Sequence, residues 1–159
     1  MYKRKFLRPM FFAVLIFCCL LQASVVVAEG KKEHHRVAVD AGSLCNIGVF
    51  LNNNQIATLD AKLLTECPAV EFKAADTEKV QRGPMIKDIL QKIGVKEFQQ
   101  ITFYGYAKKR IATAEYTITS KKLNDKVIFS FSKRGTVKLI APELSFDDWI
   151  VDVNKMEIK

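Results

Sequence analysis

Histidine is nearly absent from this 159-residue sequence. There are two, adjacent at His34 and His35, within the polar run Glu-Gly-Lys-Lys-Glu-His-His-Arg at 29–36. Neighbouring histidines in a charged tail, with no third ligand beside them, argue against a zinc site. They also leave serine–histidine catalysis dependent on a base that a tail cannot hold in place. A Gly-rich phosphate loop is missing, and so is a G-x-S-x-G nucleophile elbow. The chain has no internal repeat, no low-complexity tract and no interdomain linker, so its length reads as one domain.

What is present begins with an address. Lys3, Arg4, Lys5 and Arg8 make a basic head, Met10–Leu21 is almost unbroken apolar sequence, and Val26-Val27-Ala28 supplies small residues before a cut. This pattern predicts a signal peptide over 1–28 and a periplasmic or secreted product. An uncleaved anchor is the alternative, because Pro9–Ala28 approaches the about 20 residues that span a bilayer. Basic residues precede the apolar run in either case, which places the remainder outside the cytoplasm. Lys3-Arg4-Lys5-Phe6-Leu7-Arg8 also resembles a twin-arginine signal with lysine in the first arginine position.

Removing residues 1–28 takes away four basic residues and no acidic ones, so a formal charge of +8 becomes +4, with 21 Lys+Arg against 17 Asp+Glu. Half the basic excess belongs to the leader. The remainder argues for solubility, with no nucleic-acid partner and no stable membrane insertion after cleavage. Of the four cysteines, Cys18 and Cys19 leave with the leader. Cys45 and Cys67 remain, an even pair in an oxidising compartment, and are expected to form a disulfide. Such a bridge closes roughly 20 residues and contributes about 3 kcal/mol. Two unbridged thiols are the alternative.

Residues 29–36 read as a flexible lead-in and 37–159 as one domain of the α+β class. Its core is a mixed, barrel-like β-sheet with one main helix at about 84–93 and short helices. Met85, Ile86, Ile89, Leu90 and Ile93 give that helix an apolar face. Pro84 suits its first position and Gly94 its C-terminal stop. Strands are expected at Val37–Val39, Ile47–Leu51, Ile56–Leu59, Ala69–Ala74, Ile101–Tyr104, Ile111–Thr119, Val127–Phe131, Thr136–Ala141, Trp149–Val153 and Met156–Ile158. Asp60 caps a short helix over Ala61–Glu66.

Few side chains suggest a site. Tyr104 and Tyr106 flank Gly105 next to Lys108, Lys109 and Arg110, a corner suited to a small anionic or aromatic ligand or to a protein partner. Glu143, Asp147 and Asp148 gather in one loop, but loop carboxylates are usually solvated, and no metal is assigned.

Four segments share an order and spacing with a known family. Gly83-Pro84-Met85-Ile86 with Asp88-Ile89-Leu90 and Gly94 resembles the G-x-x-L-x-x-L-L-x-x-x-G helix of the sulfite-oxidase-like, molybdopterin-binding fold. Tyr104-Gly105-Tyr106 is similar to its D-G-Y turn, and Gly135–Pro142 to its G-P-L-R-L-V-x-P strand. Trp149–Ile158 resembles its closing W-V-x-x-V-x-x-I-x-V. The resemblance covers about residues 68–159. It implies a molybdenum-ligating cysteine just before the helix, where soft sulfur cannot be replaced by a hydroxyl. The only candidate, Cys67, lies before the preceding strand, and Ala74, Ala75 and Asp76 stand after it. The resemblance therefore implies a scaffold without its metal: a non-catalytic exported binding domain with no cofactor, or the sensor partner of a membrane receptor. A molybdopterin-dependent oxidoreductase subunit is the alternative.

Overall fold

The computed structural model describes residues 44–73 and 76–159. The leader, the lead-in, both histidines and the expected strand Val37–Val39 lie outside the described residues. Within them the protein is mixed α/β and mostly sheet, with two short helices.

Local chemistry sets the first three elements. Strand β1 (Asn46–Leu51) turns at Asn52-Asn53 into β2 (Asn54–Asp60), and both asparagines have positive φ, 49° and 69°. That is the primed turn whose twist suits a two-residue hairpin, and asparagine tolerates it. Asp60 then caps α1 (Ala61–Glu66), its carboxylate accepting the Leu63 N–H at 2.7 Å.

Strands β3 (Ala69–Lys73) and β4 (Val80–Pro84) form a separate antiparallel pair. The main helix expected at 84–93 is here only the seven-residue α2 (Ile86–Lys92). Pro84 is the last residue of β4, paired with Ala69, and Met85 is still extended, bridging to Ile128. The strand pairing continues through the residue expected to open the helix, so no long helix forms. The predicted stop is met: Gly94 has φ +81°, its N–H reaches Gln91 O, and the Val95 N–H reaches Leu90 O at 2.9 Å. Those two bonds are the Schellman closure that glycine favours.

The remaining strands are β5 (Gln100–Tyr106), β6 (Thr113–Thr119), β7 (Ile128–Phe131), β8 (Val137–Ile140) and β9 (Ile150–Ile158). The sheet runs β2-β1-β9-β5-β6, with β7-β8 joined to β9. Only the β1–β9 pairing is parallel. The two closing strands expected at 149–153 and 156–158 are one nine-residue strand. It is kinked at Asp152, whose φ is +50°. Along one edge of β9, residues 155–158 pair with β1 and residues 150–151 pair with β8, so the kink is where the sheet branches. Opposite it, β5 skips register at Gly105, where an added Cβ would stand 2.7 Å from the Val151 carbonyl oxygen. The expected Tyr-Gly-Tyr corner is accordingly strand, and the chain turns later, between Ala107 and Ala112.

Two apolar clusters result. The larger joins Ile47, Val49, Leu64, Ile89, Phe103, Phe129, Val153 and Met156, with Phe103 and Phe129 edge-to-face at 5.8 Å. The smaller centres on Ile128, Ile140 and Trp149, with Val70, Phe72, Met85, Leu144 and Phe146 packed around it. Strand β7 lies between the two, sending Phe129 to one and Ile128 to the other. The strand therefore has a core on each face.

Candidate anion-binding site

The structure separates the five residues of the predicted corner. Tyr104 donates its hydroxyl to Glu157 at 2.8 Å, and that bond, with burial, pushes its pKa up to about 12. Lys155 lies over its ring, 5.1 Å from the centroid, and also pairs with Glu157. Tyr106 is partly exposed at the end of β5. Arg110 is engaged within the fold: its Nε and Nη2 both bond the carboxylate of Asp152. Thr136 donates to the same carboxylate at 2.6 Å. The kink residue thus ties the β5–β6 turn to the β7–β8 turn, and the Arg110 guanidinium holds its carboxyl below the usual range. Lys109 is exposed.

Lys108 goes elsewhere. Its ammonium sits 3.0 Å from the Phe146 ring centroid and 2.7 Å from Asp147. Phe146 packs edge-to-face on Trp149 at 4.9 Å, and Lys138 of β8 places its Nζ 5.3 Å from the indole centroid. Asp76 anchors this loop by accepting the Phe146 N–H. Burial first, then the nearby ammoniums of Lys79 and Lys108, holds the pKa of Lys138 below the ordinary lysine range. Among the described residues Lys138 forms no ion pair. The Trp149 indole N–H is likewise buried with no hydrogen-bond partner. A half-buried ammonium beside two others, lying over an indole, favours an anion with an apolar or aromatic body.

Lys79, Lys138 and Phe146 were not singled out from sequence. Lys138 reads as the outward residue of an alternating strand, and nothing local announces that β8 and three separate loops bring these side chains together.

The predicted acidic loop does not converge. Glu143 accepts from Tyr116, Asp147 from Lys108 and Asp148 from Ser145. Among the described residues no group of three His, Cys, Asp or Glu side chains is placed to share a metal ion.

The cysteine expectation also changes: no disulfide joins Cys45 and Cys67. Cys45 Sγ is directed at the Leu59 carbonyl, 3.9 Å away, and Cys67 Sγ at the Leu63 carbonyl, 3.6 Å away. Cys45, just before β1, thus faces the backbone of β2, and Cys67 faces the helix that precedes it. Burial pushes the Cys45 thiol up to about 11 and raises that of Cys67. A molybdenum ligand must be a thiolate open to the metal, and these two thiols, packed into the larger core, do not fit that role.

No protein-family model matches the chain, and no curated protein does.

Proposed function

We propose that this chain is a non-catalytic, exported binding domain that takes a small anionic ligand with an apolar or aromatic body between Lys138, Lys79, Lys108 and Trp149. The observation that carries the reading is Lys138: a half-buried ammonium, crowded by two like charges, with no carboxylate beside it. Keeping an uncompensated cation there costs stability, and a bound anion offsets that cost. The leader supports export to the periplasm or outside the cell, where a binding domain of this kind serves a membrane receptor's sensor portion or captures a solute. Its scaffold is read as sulfite-oxidase-like on the four segments named above. Retention of that scaffold without an available thiolate suits binding and not redox chemistry, so a molybdopterin-dependent oxidoreductase subunit is the weaker reading.

Calorimetric titration with phenyl phosphate, benzoate and benzyl alcohol tests the proposal. The two anions are expected to bind saturably and the alcohol not at all. Equal affinity for the neutral alcohol overturns it. Stoichiometric molybdenum in protein purified from its own exported fraction overturns the non-catalytic assignment separately.

A further inference from the structure

A cleft is lined by none of the residues of the Trp149 face. Helix α2, the loop that follows it and the turn after β6 border this open cleft of about 590 Å³. Its size falls within the range of small-molecule sites. Leu90, Val95, Phe98 and Leu123 line it with apolar surface, and Lys87 and Lys96 stand on it. No aspartate or glutamate lines it.

The floor is built firmly. Leu90 and Val95 are held together by the Schellman closure at Gly94, and Leu90, Val95 and Leu123 are buried at 3%, 9% and 7% exposure. The basic residues are movable by contrast. Lys96 is exposed and forms no ion pair among the described residues. Lys87 leans out to Asp125 at 2.9 Å, an ion pair with both side chains largely in water. Exposed pairs of that kind contribute about 1 kcal/mol or less, so a ligand carboxylate can take the ammonium over at little cost.

From these observations we infer a second binding site, for a single amphipathic carboxylate of the medium-chain fatty acid class. The chain would lie on Leu90, Val95, Phe98 and Leu123, and the head group would face Lys87 and Lys96. Two lysines and no acidic side chain on the cleft select an anion over a cation, and the apolar floor selects one that carries a hydrocarbon chain. The site is independent of the Trp149 face.

The test is titration of the full chain with decanoate below its micelle concentration, followed by backbone amide chemical shifts. Saturable shifts centred on Leu90, Val95, Phe98 and Leu123 are expected, with the Trp149 indole resonance unmoved. Decan-1-ol should bind at least tenfold more weakly, and decylammonium not measurably. Lys87→Ala/Lys96→Ala changes two exposed side chains, so it should keep the wild-type melting temperature while losing about tenfold in decanoate affinity. Three outcomes overturn the inference. One is equal binding of decanol or decylammonium, and another is unchanged decanoate affinity in the double variant. The third is a response confined to anionic phospholipid vesicles or to the Trp149 resonance.

Discussion

The two apolar clusters differ in how completely their polar surroundings are satisfied. Around the larger one, charges are paired at the rim: Glu66 with Lys92, and Glu157 with both Tyr104 and Lys155. Around the smaller one, Lys108 pairs with Asp147, but Lys138 has only the like charges of Lys79 and Lys108 acting on it, and a buried indole N–H has no partner. A core that serves only folding removes such defects, because each unsatisfied buried donor costs about 1–3 kcal/mol. Where they persist, binding is the simplest physical reason. The proposed binding role rests on that contrast.

The comparison is broken most severely at its folding half. Ile89, fully buried on α2, packs into the larger cluster. An Ile89→Asp variant places a carboxylate there and should lose several kcal/mol, comparable to total stability. A thermal melt resembling wild type would show that the inward face of α2 is misassigned.

Gly83 tests the join between the clusters. A methyl group there would lie 1.6 Å from the carbonyl oxygen of Phe129, so β4 and β7 must separate to admit it. Gly83→Ala should cost about 3 kcal/mol or more and uncover the Trp149 side first, seen as a red shift in the emission of the single tryptophan. Unaltered emission and stability would mean that the hairpin is not seated on β7 as described.

A smaller effect is expected at the branch point. Asp152→Asn keeps a residue tolerant of positive φ while removing the ion pair with Arg110, at a cost of about 1 kcal/mol. Asp152 has a folded-state pKa below its unfolded value, so its stabilisation is present above the unfolded value of 3.8 and is lost as pH falls through the folded one. Wild type and variant should therefore differ in melting temperature at pH 7 and converge as pH drops below the ordinary aspartate range. A constant difference across that window would remove the ion pair from the account.

Much of the fold was legible because much of it is local. The Asp60 cap and the Gly94 stop depend on residues within a few positions, and both stand where the pattern puts them. Helix α2 came out shorter than its apolar periodicity suggested, because pairing of Pro84 with Ala69 is a contact from outside the helix. The merging of two closing strands into β9 was hidden for a similar reason, since the left-handed Asp152 is stabilised by Arg110 and Thr136 from two other turns. The binding face was the least legible part. Lys108 was in view as part of a basic run, but Arg110 beside it is consumed by the fold, and Lys79 and Lys138 become its neighbours only through tertiary pairing.

The most direct test of the Trp149 site reads the emission of that residue during titration with phenyl phosphate, in wild type and in Lys138→Met. Lys138 is depressed in the folded state, so wild-type stability rises as pH climbs from its folded pKa toward the ordinary lysine value. Methionine should remove that rise and leave the fold intact. The account predicts a saturable change of emission in wild type, weakening as pH rises to deprotonate Lys138, and at least a tenfold loss of affinity in the variant. Equal titration curves for the two proteins would contradict it.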